Sequence, residues 1–240
     1  MGYINVQRNL GGGGSSTYIA EKVKIKETVE APDKWWLNKD LTVINSSYPP
    51  TMSSDLVANN FSNYAGYKLD TREIVDTSQT YASLECCVKF RYSQTYSSRR
   101  SILVWDTVFT PMIKASTNNI EYWSIVLNDW TTLNYTMNPN TWYWLKQSSD
   151  SSGNATYSIS TDGENFTVIT TENNGISTIY SDWFTRDMTL GHGSQSDIDG
   201  LYYGEIDLKE TYIKFNGTKT FYAIYQPYHK YYDNTEEGDN

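Results

Sequence analysis

The stretch from Gly204 to Ala223 constrains the fold more than any other part of the chain. Ile206 and Leu208 lie on one side of an alternating run, with Glu205 and Asp207 on the other. That is the period-two pattern of a half-buried strand. Further on, Ile213 and Phe215 share a side opposite Tyr212 and Lys214, now at odd rather than even positions. A strand with one face in the core changes parity by absorbing one residue, so a bulge or bend is expected near 209–211. Asn216-Gly217 follows, a pair suited to the two positive φ angles of a type I′ hairpin turn. The expected order is strand, bend, strand, tight turn, strand.

Similar patterns recur upstream. Leu84, Cys86, Val88 and Phe90 share one face of a strand expected over 81–92, with Arg99 and Arg100 in the turn after it. Short apolar strands are expected at 101–106 and 111–113. In 120–128, Tyr122, Ser124 and Val126 alternate with Trp123, Ile125 and Leu127, as in a central strand covered on both faces. Residues 142–147 read the same way. Strands at 157–160 and 166–170 flank Asp162-Gly163-Glu164-Asn165, a hairpin loop in which Gly supplies positive φ. Residues 179–184 are expected as a short helix or 3-10 turn. Aromatic residues, 15% of the 240, favour strands. Many short strands with turn signals about every 8–12 residues imply an all-β sandwich or jelly roll. The length suffices for one such domain without staples.

The two ends differ in composition. Tyr3, Ile4 and Val6 precede the run Gly11 to Gly14 with Ser15 and Ser16. Residues 1–17 therefore read as a partner-docking anchor on a flexible tether, with a frayed terminus as the bland alternative. In 18–29, Val23 and Ile25 alternate with Lys22, Lys24 and Lys26. This is a Lys-rich, protected edge strand, or alternatively an amphipathic helix. Ala31-Pro32 ends it, and Trp35 and Trp36 open a loop-rich region through Val57. The domain is expected to span 18–225. Residues 226–240, Tyr-rich and then acidic, are expected to form a tail without fixed structure.

A net charge of −9 argues against a nucleic-acid groove or an anionic membrane surface. No apolar run approaches the ~18–20 residues of a membrane span. The first ten residues have neither the basic nor the apolar region of a secretory signal. Cys86 and Cys87 are the only cysteines. As strand neighbours they point to opposite faces and are poorly placed to pair. Folding without disulfides, in a reducing cytoplasm, is the expectation.

Gly204-x-Ile-Asp-Leu followed by Tyr212-Ile-Lys-Phe-Asn-Gly217 resembles the closing segment of the laminin-G-like, concanavalin A-type jelly rolls of bacteriophage structural proteins. Asn140-Thr-Trp-Tyr-Trp-Leu-Lys146, then Tyr157-Ser-Ile-Ser-Thr-Asp-Gly-Glu-Asn-Phe166, is similar to the middle of that family. Met188-Thr-Leu-Gly-His192 resembles its strand before the last hairpin. The resemblance spans roughly 81–223. It implies a concanavalin A-like jelly roll with an extended N-terminal anchor. It further implies a non-enzymatic virion component, such as a head fibre, capsid decoration or tail protein. Other virion proteins would be its partners, and homo-oligomers, trimers included, follow by the same analogy. The fold also hosts lectins and hydrolases. A carbohydrate-binding module for host adhesion is therefore the alternative, and a glycoside hydrolase comes third.

Glu205-Ile-Asp-Leu-Lys-Glu210 fits the Glu-x-Asp-x-x-Glu pattern of laminarinase-type β-glucanases. A retaining reaction there needs two carboxylates about 5–5.5 Å apart on one face. Strict alternation separates Glu210 from Glu205 and Asp207, and the inferred bulge would restore it. The motif leads into the closing hairpin, however, and the expectation is a solvated strand face with no catalytic residues. His192 and His229 are the only histidines. No zinc spacing or phosphate loop is present, and no cofactor is expected. Asp162, Asp197 and Asp199 match no complete calcium loop. The Asn-x-Ser/Thr triplets read as turns. Trp123, Trp130 and Trp142 are the candidate glycan contacts, beside Asn and Asp residues, with partly buried packing as the competing role.

Overall fold

The computed structural model describes residues 3–9, 18–24, 28–30, 34–44, 46–47, 49–59, 61, 66–76, 78–93, 100–104, 112–114, 119–124, 126–127, 129–173, 179–180, 187–191, 204–226 and 230–232. The described regular structure is strand apart from one 3-10 turn, Thr71–Glu73, capped by the Asp70 carboxylate. Two compact units are formed, one by Trp35–Ile224 and one by Met1–Lys34 with Tyr225–Asn240.

In the smaller unit, Tyr3–Asn9 pairs antiparallel with Tyr18–Lys24, and Thr28–Glu30 with Lys230–Tyr232. Of the two readings of the Lys-rich segment, strand is the one observed. Tyr3, Ile4 and Val6 lie opposite Lys24, Val23 and Glu21. The segment expected as a tail contributes the strand Lys230–Tyr232. The Gly11 to Gly14 run and 233–240 lie outside the described residues.

The larger unit is built on an eight-stranded antiparallel sheet. Its order is Thr167–Asn173, Asn154–Ser160, Tyr143–Ser149, Leu84–Tyr92, Gly204–Phe215, Val57–Asn59 and Thr51–Met52, with Thr218–Phe221 also paired to Gly204–Phe215. Strands remote in sequence become neighbours, as jelly-roll crossings require. A four-stranded sheet joins Arg100–Ser101, Met112–Lys114, Asn119–Ser124 and Asp129–Thr136. Another joins Leu103–Val104, Met188–Leu190, Tyr67–Leu69 and Thr42–Val43. The core uses alternate residues of the large sheet, including Leu84, Val88, Phe90, Leu145 and Ile206, against Leu69, Leu103, Ile120, Leu133 and Met188 from the smaller sheets. Each such side chain contributes roughly 1.5–3 kcal/mol relative to exposure, which pins the strand faces. The architecture is the all-β, concanavalin A-like jelly-roll sandwich expected from the sequence.

The parity switch is resolved by a bulge in Gly204–Phe215. Tyr212 is the partner of Cys87 and Asp207 the partner of Lys89, so residues 208–211 all stand against Val88. The excursion is longer than the single extra residue the pattern demanded. The Thr211 hydroxyl donates to the Asp207 carbonyl at 2.8 Å and accepts the Lys89 N–H at 3.2 Å. It thereby serves backbone groups that the ladder leaves open. Ile206, Leu208, Ile213 and Phe215 are all buried. The Asn216-Gly217 turn has φ of 48° and 79°, as a type I′ turn needs.

Three expectations change. The strand expected over 120–128 stops at Ser124, whose hydroxyl accepts the Leu127 N–H at 3.1 Å and closes a turn. Val126 and Leu127, expected on strand faces, are exposed there. Of the expected helix at 179–184, Ile179 and Tyr180 are strand, paired with Tyr81 and Thr80. Cross-strand pairing overrides the local preference, and 181–184 lie outside the described residues. The strand expected at 101–106 is divided, with Ser101 in one four-stranded sheet and Leu103 in the other.

Candidate functional site

Residues of Leu84–Tyr92 that turn away from the core are Glu85, Cys87, Lys89 and Arg91. In register, Arg91 stands opposite Glu205, Lys89 opposite Asp207 and Trp144, and Cys87 opposite Tyr212 and Lys146. The outer face of the large sheet is thus a band of charged and aromatic side chains.

Lys89 is its centre. Its ammonium donates to Asp207 Oδ2 at 2.9 Å and Glu210 Oε1 at 2.7 Å. It also lies over the rings of Trp144 and Trp142, 4.6 and 5.1 Å from their centroids, a favourable cation–π geometry. Burial pulls the Lys89 pKa down, and its bonds with Glu210 and Asp207 outweigh that, so the net shift is upward. Beside it, Arg91 pairs with Glu205 and lies 4.8 Å from the Trp142 centroid. Further along, Glu85 accepts from Tyr212 at 2.8 Å and Lys214 at 2.7 Å. Burial raises the Glu85 pKa, and the Lys214 and Tyr212 bonds lower it further than that, leaving it depressed.

The bulge does bring Glu210 to the face that carries Asp207. The chemistry is nevertheless that of acceptors. Asp207 Oδ1 takes the Lys209 N–H at 3.0 Å and Oδ2 takes Lys89. Glu210 Oε1 takes Lys89, and Oε2 takes the Trp144 indole N–H at 2.9 Å. All four oxygens accept hydrogen bonds from the protein's own donors, so neither carboxyl has an oxygen left unengaged to face a glycosidic bond.

Trp144 is held from two sides. Gly163, at φ 80°, lies so close that a Cβ there would be 2.9 Å from Trp144 Cε2. Asp162 shapes that loop by accepting the Asn165 side-chain amide at 2.8 Å, the Asn165 and Glu164 N–H groups at 2.8 and 2.9 Å, and the Ser160 hydroxyl at 2.7 Å. These bonds, led by those of Asn165, hold its carboxyl well below the usual range. Next to Trp144, a cavity of about 210 Å³ has Phe166, Tyr212 and Tyr222 in its wall, with Lys209, Glu210 and Lys219 as polar groups. A second cavity, about 450 Å³, is lined by Asn59, Asn140, Ser93, Arg91 and Glu205.

Of the candidate tryptophans, Trp142 lies in this band. Trp123 and Trp130 are register partners in the strands Asn119–Ser124 and Asp129–Thr136 of a separate sheet. The structure therefore does not gather the three into one strand pair. Asp162 is occupied by its own loop, and His192, Asp197, Asp199 and His229 lie outside the described residues. Among the described residues, no group of three or more His, Cys, Asp or Glu is placed to hold a metal. Cys86 and Cys87 are free and buried, and burial pushes the Cys87 thiol up to about 12. Sequence reasoning missed Trp144 and the Lys89 hub. The Trp142-x-Trp144 spacing, two residues on one strand face, was the available signal for the first.

No protein-family model matches the chain, and no curated protein does. Among solved structures, a putative carbohydrate-binding protein from Bacteroides ovatus matches with TM-score 0.47 and 14% identity over 65% of this chain and 42% of that one. Domain 4 of AbnA, an extracellular arabinanase from Geobacillus stearothermophilus in complex with arabinotriose, matches with TM-score 0.44 and 12% identity over 81% and 82%. The LG1-3 region of the laminin α2 chain matches with TM-score 0.37 and 15% identity over 58% and 28%. The chain thus spans less than half the length of the Bacteroides ovatus protein and under a third of the laminin fragment. These likenesses are too distant to carry a functional argument.

Proposed function

We propose that the jelly roll is a non-catalytic carbohydrate-binding module whose sugar site is the outer face of the eight-stranded sheet. The observation that carries this reading is the cavity beside Trp144, walled by Phe166, Tyr212 and Tyr222 and supplied with a few polar groups. Ligand sites combine apolar walls with sparse orienting polar groups in this way. The fixed Trp144 and Glu210 pair gives a wall that needs little reorganisation on binding, which limits the entropic loss. The engaged oxygens of Asp207 and Glu210 favour binding over hydrolysis. Presentation on a virion, with Tyr3, Ile4 and Val6 as its docking segment, is compatible with this role as a host-adhesion device. That part rests on sequence resemblance alone.

The test is a glycan array followed by calorimetry on the strongest hit, with Phe166→Ala and Tyr222→Ala as variants. Loss of one aromatic wall should weaken binding about tenfold with melting nearly unchanged. The absence of any glycan hit, or variants that bind as the parent does, would overturn the reading.

A further inference from the structure

We infer that the ligand of this face carries an anionic group, a sugar carboxylate or sulfate, and docks it in the cavity beside Trp144; this rests on the glycan-binding reading. The warrant is a local inversion of charge. The chain is acidic overall, at −9, yet the cavity is lined by Lys209 and Lys219, with Glu210 as its carboxylate. Glu210 and Asp207 share the single charge of Lys89, so that trio keeps one net negative charge, against the two positive charges of Lys209 and Lys219.

The lysines face rings instead of carboxylates. Lys209 lies 6.0 Å from the Trp35 centroid, and Lys219 lies 5.0 Å from that of Tyr212. Nearby Lys146 sits 4.0 Å over Phe166. Among the described residues, none of these three ammonium groups has a carboxylate within ion-pair range, whereas Lys89 and Lys214 do. A cation resting on a ring keeps its charge and its donors available. Two such cations in the lining of one aromatic-walled cavity, with Lys146 over its Phe166 wall, form an acceptor-hungry corner.

The other cavity has a different balance. Its Arg91 is already paired with Glu205, and the remaining polar lining is Asn59, Asn140 and Ser93. Amides, a hydroxyl and a neutralised ion pair suit uncharged hydroxyl groups. Cys87 and Arg91, which border the two cavities, are four residues apart on one strand, or about 13 Å at strand spacing. An oligosaccharide with its acidic unit at Lys209 and Lys219 and neutral units toward Arg91 matches both ends.

The experiment compares oligogalacturonate with its carboxyl-reduced, neutral counterpart, and a sulfated dextran oligomer with unsulfated dextran, by calorimetry at low and high salt. Variants are Lys209→Gln/Lys219→Gln and, as a control outside the cavity, Lys68→Gln. The expected result is at least about a tenfold preference for one acidic form. That preference should diminish in salt, vanish in the double variant and survive in the control. The carboxylate and sulfate arms separate the two anion types. Neutral and acidic forms bound equally would overturn this inference and leave the glycan-binding reading standing. A preference that survives in the double variant would overturn it too, by moving the anion site elsewhere. No sugar of either charge bound, with an empty glycan array, would remove both.

Discussion

Replacing Lys89 with Met should destabilise the larger unit far more than loss of an ordinary surface lysine. The side chains of Lys89 and Asp207 are only 13% and 6% exposed. The substitution therefore leaves the Asp207 charge in a dry setting with only the Lys209 N–H as a remaining donor in the network. Breaking such a buried pair costs about 3–5 kcal/mol. Glu210 adds little, since its side chain is 46% exposed and water can replace Lys89 there. For a unit of this size, a loss of that magnitude lowers Tm by roughly 10 °C. The discriminating variant is Lys89→Met with Asp207→Asn. Asparagine keeps an oxygen for the Lys209 N–H and removes the stranded charge, so the double variant should recover at least about half of the loss. Urea unfolding at pH 7, with the slope checked for constancy, measures both. A single variant that loses less than about 1 kcal/mol would mean that the network is screened like a surface pair. A double variant as unstable as the single one would mean that Lys89 acts by packing against Trp142 and Trp144, and either result refutes the charge argument.

Two further predictions concern the same face. Gly163→Ala should destabilise by about 1–2 kcal/mol, because it combines positive φ with a 2.9 Å approach to a rigid indole; near-ultraviolet dichroism should report displacement of Trp144. Glu85 is depressed below its ordinary value. Its contribution to stability is therefore full above the ordinary carboxylate range and lost as pH falls through the lowered folded value. Urea midpoints from pH 7 to 3 should fall less steeply for Glu85→Gln than for the parent, and parallel curves would refute the pairing.

The bulge was legible because a parity switch in a half-buried strand admits few solutions, and Ile206, Leu208, Ile213 and Phe215 had to share the core. The Asn216-Gly217 turn was legible because its backbone angles select its residues. The network was not. Lys89, Trp144 and Glu210 come from three strands, and nothing local in the sequence joins them. Only the register of 84–92 with both neighbours does so. Val126 and Leu127 prolong the apolar alternation of Trp123 past the point where the strand ends. The Ser124 hydroxyl, which ends the strand early, carries no periodic signal. The pairing of Ile179 and Tyr180 with Tyr81 and Thr80 is likewise a tertiary outcome that local propensity does not report.

The four-residue excursion at 208–211 also has a bearing on how this surface can diversify. In a regular strand, an insertion or deletion of one residue reverses which of the following side chains meet the core, and any change of length shifts the pairing register beyond it. Here the register on each side is held separately, by Asp207 with Lys89 and by Tyr212 with Cys87. Lys209 and Glu210 consequently occupy a stretch with loop-like latitude in the middle of a sheet. Changes of length by two residues at that point preserve the inward alternation of both halves. Relatives that carry new recognition chemistry are expected to have acquired it there, and it is the natural place to graft residues when specificity is to be redesigned without rebuilding the scaffold.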